Sequence, residues 1–252
     1  MKKFFSMMLI VCLLIITGCE KEQNLDALIY NDDFEYTVES PSNRLTMITA
    51  GDALIHSSVY QDAFISGDSY DFTKMLPSIK NLIADYDLKY YNQETIIGGK
   101  DLGVSTYPCF NSPDEIADAM LDAGFNMVSL ANNHTMDRGE KAVLYSTQQY
   151  WPTKEALVAG SYDSFENRDK IQVREMNGIR YTLLSYTTTT NGLTPAYGKE
   201  YLMNVYDDEK VKADIERVRP ILMLLWLQCT GEKSIQQLRL LVKKELRNTY
   251  QI

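Results

Sequence analysis

The sequence predicts an α/β layered fold, and three observations carry that reading. β-prone apolar runs alternate with helix-like segments along the chain. The strongest of those runs stop abruptly at Gly, Asp, Asn or His, as buried strands do when they feed loops. The composition also suffices: 252 residues, 45% hydrophobic and 23% charged, can build one ordinary domain or two small ones and are too apolar for a disordered tail. In such folds the working residues gather at the C-terminal ends of the strands.

Leu45 to Ala50 is a short apolar run that ends at Gly51-Asp52, the pattern of a buried strand. Thr73 to Ala84 is helix-like, and Leu88 to Asn92 returns to strand character. Ser112-Pro113-Asp114-Glu115 reads as a helix start, with serine as N-cap, proline at N1 and two carboxylates in the first turn. Ile116, Ala119, Met120 and Ala123 then keep helical spacing until Gly124. Phe125 to Leu130 is a further strand, broken by Ala131-Asn132-Asn133-His134. Gly139 to Ala156 reads as helix despite Pro152, and Leu157 to Gly160 as a brief strand. Ile171–Glu175 and Ile179–Tyr186, joined by Asn177-Gly178, give the clearest hairpin signal in the chain. No internal repeat is visible.

The formal charge of −9 argues against a nucleic-acid partner, because phosphate backbones are met by Lys and Arg. Cys12, Cys19, Cys109 and Cys229 form no C-x-x-C pair, so neither a zinc ribbon nor a disulfide framework is suggested. Cys109 has no adjacent basic residue and is expected to behave as a small buried hydrophobe.

Residues 1–18 read as a signal peptide: Lys2 and Lys3, then an apolar run from Phe4 to Ile16 that is too short to cross a bilayer. The ending Leu14-Ile15-Ile16-Thr17-Gly18-Cys19 resembles the lipobox of bacterial lipoproteins, with Cys19 as the lipidated residue. An ordinary secretory signal with a chance cysteine is the alternative. Residues 19–43 are polar and Pro/Ser-punctuated, which suits a tether between a membrane and a domain. The expectation is an extracytoplasmic protein anchored to the bacterial cell membrane.

Three strand ends carry hard or borderline metal ligands: Asp52 with His56, Glu94 in Asn92-Gln93-Glu94, and Asn133-His134 with Asp137. Carboxylate, imidazole and amide donors converging from different strands at one sheet edge suit a divalent cation. The chain has two histidines, and both lie in these segments. Taken singly, each segment also reads as turn or cap chemistry.

Gly51-Asp52-Ala53-Leu54-Ile55-His56, then Asn92-Gln93-Glu94, then Leu130 to Gly139 resemble the CapA-like capsule-synthesis family associated with poly-gamma-glutamate, over about residues 45 to 219. That family resembles the calcineurin-type metallophosphoesterases, a four-layer α/β/β/α sandwich with two metals at the strand ends. The resemblance implies that Asp52 and His56 bind one metal, Glu94 bridges, and Asn133 binds the second. It also implies that His134 acts as acid or as a phosphate or carboxylate contact, with Asp137 orienting it. Two divalent ions of this kind (Mn, Mg or Zn) polarise a phosphoryl or acyl oxygen and lower the pKa of a bridging water. An imidazole beside them protonates the leaving group.

The chain departs from that family after Pro220. The family continues with a strand, a Met-His-Trp-Gly segment and a Gly-x-His-x-His type segment, whereas no histidine follows His134 here. Residues 221–252 read instead as an aberrant basic, leucine-rich tail, with Lys233, Arg239, Lys243, Lys244 and Arg247 opposed by Glu232 and Glu245. The stretch Leu238 to Arg247 has the look of an amphipathic helix, either patching exposed sheet or lying on a membrane surface. One hypothesis for the join is a frameshift near Pro220: chosen codons for Met223 to Lys233, read from the third base, encode Ala-Ile-Val-Val-Ala-Met-His-Trp-Gly-Glu. The expectation is a partial sandwich over residues 44–220 that lacks its C-terminal part, with a dimetal site impaired by the lost ligands.

Three functions compete. The first is a lipid-anchored protein assisting biosynthesis or export of an anionic surface polymer, alongside capsule synthesis or export proteins. The second is an active metal-dependent hydrolase of the cell envelope. The third is a non-catalytic scaffold lipoprotein. Seventeen tyrosines, including Tyr86, Tyr90, Tyr91, Tyr181 and Tyr186, would line a polymer groove or serve as ordinary half-buried strand residues.

Overall fold

The apolar runs that end in polar residues become the strands of a parallel sheet. The computed structural model describes residues 44–222 and 224–231; the signal peptide, Cys19, the tether and the tail from residue 232 lie outside the described residues. Strands β1 (Met47–Asp52), β4 (Leu88–Asn92), β5 (Met127–Ser129) and β6 (Leu157–Ala159) form one four-stranded sheet in the order β1-β4-β5-β6. All three pairings are parallel. Asp52 pairs with Asn92, Asn92 with Ser129, and Ser129 with Ala159, so one row of residues crosses the sheet at its C-terminal edge.

Helices cover one face of this sheet. They include α1 (Ser57–Ala63), α2 (Pro77–Ile83) and α3 (Asp114–Asp122), and a small hairpin of β2 (Phe64–Ser66) and β3 (Ser69–Tyr70) adjoins them. Tyr91, Val128 and Leu130 from the sheet share a core with Ile83, Ile116, Ala119 and Met120 from the helices. The alternate strand residues turn the other way, as the two-residue period of a strand requires. Leu88, Tyr90, Met127 and Leu157 pack with Tyr181, Leu183 and Trp226 of a second sheet.

That second sheet contains β7 (Arg174–Met176), β8 (Ile179–Thr187) and β9 (Leu224–Thr230). The β7–β8 hairpin turns at Asn177 and Gly178 with φ of 51° and 74°, the left-handed pair a two-residue hairpin needs. β8 and β9 run parallel over seven residue pairs, from Tyr181↔Leu224 to Thr187↔Thr230. Residues just past Pro220 therefore continue the sheet. The outer face of this sheet, Leu184, Tyr186 and Leu225, buries against Val211 and Val218 of α6 (Asp208–Val218), the helix that follows the short α5 (Phe165–Asp169). The whole is mixed α/β around a parallel sheet, as the sequence predicts.

Several local readings are corrected. Ser112 is not the N-cap of α3: that place falls to Pro113, and the Ser112 hydroxyl donates to Thr95 Oγ1 at 2.6 Å. The predicted helix over 139–156 is three pieces: α4 (Gly139–Leu144), a π-helical turn at Tyr145–Tyr150 and a 3₁₀ turn at Trp151–Thr153. Pro152 cannot donate to the helical ladder, so the α-helix stops short of it. Thr73–Met75 is a 3₁₀ turn, and α2 proper starts with Pro77 at its first position. Cys109 is exposed rather than buried. Tyr90, Tyr91, Tyr181 and Tyr186 are buried core residues, not the lining of a groove. Among the described residues no helix is long and apolar enough to cross a membrane.

Candidate functional site at the C-terminal edge of the parallel sheet

The site begins with the row Asp52, Asn92 and Ser129. Asn92 Nδ2 donates to Asp52 Oδ1 at 2.8 Å, and the Ser129 hydroxyl donates to Asn92 Oδ1 at 2.6 Å. Tyr90 OH lies 2.7 Å from Ser129 Oγ, which extends the network into the space between the sheets. An asparagine buried to 2% exposure thus spends both ends of its amide, one of them holding a carboxylate in place. Sequence reading singled out Asp52 and passed over Asn92, although Asn92 stands in the same motif as Glu94.

Past the strand ends the loops are pinned to one another. Ala53 N–H donates to Asn92 O at 2.8 Å, and Gln93 N–H to Ser129 O at 3.0 Å. Asn132 Nδ2 donates to Gln93 O at 3.0 Å, while Asn132 Oδ1 accepts from the His134 N–H at 2.8 Å. Gly160, at the exit of β6, has φ of +111°, and a Cβ there would sit 2.6 Å from Ala131 N. Only glycine lets the β6 exit lie this close to the β5 loop.

These contacts set the His134 ring. Its Nδ1 lies 2.8 Å from Asp137 Oδ2, and its Nε2 lies 3.9 Å from Glu94 Oε1. The same Asp137 oxygen accepts the Phe110 N–H at 2.7 Å. Asp137 Oδ1 is buried and has no hydrogen-bond partner among the described residues. Burial holds the Glu94 carboxyl above the usual carboxylate range; Asp52 and Asp137 push the same way and His134 opposes them. Asp52, Glu94, His134 and Asp137 therefore form one electrostatic neighbourhood.

His56 precedes α1 and is exposed, with its ring edge-on to Phe110 at 5.1 Å between centroids. Phe110 meets the His134 ring at 4.8 Å on similar terms. The structure thus brings both imidazoles to one phenylalanine rather than to one another. Asn133 is half-buried in the turn after β5, between Asn132 and His134. Sequence reading missed Phe110: a single aromatic in an irregular loop carries no periodic signal.

Among the described residues no group of three or more His, Cys, Asp and Glu side chains is gathered around one point to hold a metal ion. The donor set nevertheless fits a hard divalent cation in kind, with carboxylates and imidazoles and no thiolate. Two features mark a shortage of positive charge that a cation would relieve. One is the Glu94 carboxyl, held high by burial first and by Asp52 and Asp137 after it; the other is the unpartnered Asp137 oxygen.

Comparison with known proteins defines the class of protein. A family model described as "Bacterial capsule synthesis protein PGA_cap" matches residues 46–237, and the chain belongs to that family. The match runs past Pro220 and takes in β9. A curated relative is the capsule biosynthesis protein CapA of Bacillus anthracis, 26% identical over 154 residues. That alignment covers 58% of this chain and 35% of the relative, so the chain matches about a third of the relative's length.

Proposed function

We propose that this chain assists the assembly or export of an anionic surface polymer from outside the cytoplasmic membrane, held there by a lipid on Cys19. Partners of this reading are the membrane, the polymer or an envelope substrate, and other capsule synthesis or export proteins. Family membership supports the capsule assignment. The layer order of helices, parallel sheet, second sheet and α6 supports a metallophosphoesterase-like four-layer arrangement.

The observation that carries a chemical role is His134 held between Asp137 and Glu94 beside Asp52, at the edge where parallel sheets place their sites. In this reading Asp52, His56, Glu94 and Asn133 hold divalent metal. When bound, the metal supplies Lewis acidity and a water of lowered pKa. Asn92 fixes the Asp52 carboxylate. Asp137, with Oδ2 at 2.8 Å from His134 Nδ1, orients the ring and leaves Nε2, 3.9 Å from Glu94 Oε1, to exchange a proton with the leaving group. With both histidines of the chain already at this site, a second ion has Asn133 and the shared Glu94 alone among the described residues, and we expect it to bind weakly.

Titrating the purified mature chain with Mn²⁺, Mg²⁺ and Zn²⁺, with calorimetry and thermal shift as readouts, tests the metal. Hydrolysis of p-nitrophenyl phosphate that is lost in His134→Ala tests the chemistry. A non-catalytic scaffold is the second reading, supported by the bonds with which Asp137 and Asn92 brace Phe110 N–H and Ser129. No thermal shift and no stoichiometric metal would establish the scaffold instead. Incorporation of labelled fatty acid that persists in Cys19→Ser would refute the anchor.

A further inference from the structure

The open edge of the parallel sheet carries a second feature, remote in character from the acidic site. β6 is the last strand of its sheet, with β5 on one side and no strand on the other among the described residues. Leu157 N–H donates to Asn126 O at 2.8 Å, and Ala159 O accepts from Leu130 N–H at 2.9 Å. Both residues face β5, so the N–H and C=O of Val158 between them point to the open side.

Side-chain and backbone groups close that open side at both ends. Arg174 donates to Glu155 O at 3.0 Å and to Ala156 O at 2.8 Å. At the far end Gly160 N–H donates to Tyr162 OH at 3.4 Å, and Gly160 O accepts from Asn204 N–H at 2.8 Å. Val158 is left in the middle, and it lines a cavity of about 640 Å³, within the size range of ligand pockets.

The walls of the cavity are both apolar and cationic. Trp151, Ile171 and Val173 supply the apolar part. Lys154, Lys170 and Arg174 line it against Asp163 alone, although the chain as a whole carries −9. Asp118 meets Lys154 at 2.7 Å, whereas Lys170 has no carboxylate partner among the described residues. The π-helical turn at Tyr145–Tyr150 places Thr147 in the wall and leads into Trp151. Such turns are rare and recur at functional sites.

We infer that the open edge of β6 is a binding site for a short acidic peptide segment, which pairs its backbone with Val158 and sets its carboxylates against Lys170 and Arg174. A donor and an acceptor on the same residue match an amide backbone better than they match an isolated anion. Alternate side chains of an extended segment face opposite ways, so one that alternates acidic and apolar residues offers both kinds to walls that hold Trp151 and Ile171 as well as cations. The site is independent of any metal at Asp52 and Glu94.

The test uses the full chain and fluorescein-labelled Glu-Val-Glu-Val-Glu, with Lys-Val-Lys-Val-Lys as counterpart, read by fluorescence anisotropy. The acidic peptide is expected to bind saturably and the basic one not at all. Lys170→Glu is expected to weaken binding by roughly tenfold. Val158→Pro removes the outward N–H and no bond to β5, which an edge strand tolerates, and is expected to weaken it similarly. Should that variant fail to fold, the acidic peptide N-methylated at its valines removes the same pairing from the other side. Equal binding by the two peptides, by the N-methylated peptide, or by Lys170→Glu would overturn the site. So would a dimer in sedimentation that Val158→Pro dissociates, since a second copy would then cover the edge.

Discussion

The two sheets of this protein are built on different terms. In the parallel sheet the strands are short, three residues in β5 and β6. Their C-terminal ends turn polar together as Asp52, Asn92 and Ser129, and the loops beyond are tied by side-chain amides. In the second sheet β8 runs for nine residues, and Tyr181 to Thr187 are all buried. Its inward residues, Leu183 and Trp226, fill the space beneath the parallel sheet. The difference teaches a division of labour: the long sheet holds the fold together, and the short one gives up apolar contact at its edge to gather polar and ionisable side chains. Substitutions in one sheet should therefore be separable in effect from those in the other.

The largest expected effect lies in the second sheet. Leu183 is 2% exposed between the sheets, and Leu183→Ala should cost about 2–5 kcal/mol through lost contact and the cavity left behind. Urea unfolding measures this. Any metal-induced thermal shift of the parent chain should persist in the folded fraction; its loss would mean that the long sheet shapes the site as well. Asp137→Ala removes the acceptor of two groups, Phe110 N–H and His134 Nδ1. We expect about 1–3 kcal/mol of destabilisation from the orphaned partners, with phosphoester hydrolysis down on the order of 10²-fold. Activity that survives while stability falls would reduce Asp137 to a loop brace.

Asn92→Ala sharpens the comparison further, since it belongs to the strand and to the site at once. Losing the amide leaves the Asp52 carboxylate loose and Ser129 without its acceptor. A metal affinity lower by about 10–100-fold is expected, as for other residues that hold a ligand in place. Calorimetric titration reads it directly.

How much of this was legible in the sequence follows the same division. Asp52, Glu94, His134 and Asp137 stood out because a strand that ends in an ionisable residue breaks an apolar run. The Asn177-Gly178 hairpin stood out because its turn demands left-handed backbone. Asn92, Ser129 and Phe110 were hidden, since their roles come from partners 27 to 40 residues away. Ser112 was misread for the same reason: a distant threonine takes the hydroxyl that a local rule assigns to the helix. β9 was obscured by an apolar run with no alternation and no turn signal, and its parallel partner β8 lies some 43 residues earlier in the chain.

The smallest effect tests the opposite end of the parallel sheet, where the chain enters β1. The Asp87 carboxylate accepts from Thr46 N–H at 2.7 Å and from Thr46 Oγ1 at 2.8 Å. Those bonds, backbone first, hold its carboxyl below the usual aspartate range. A group with a lowered folded value binds its proton less readily in the native state than in the unfolded one. Its contribution is therefore complete above the ordinary aspartate pKa of about 3.9 and disappears as pH falls through that value and then through the folded one. Asp87→Asn keeps an acceptor but loses the charge, so at pH 7 it should cost about 1 kcal/mol in urea unfolding. Once the pH has fallen below the folded value, the gap to the parent chain should close. A gap that stays constant across that range would mean that the side chain's shape, and not its charge, seats the first strand.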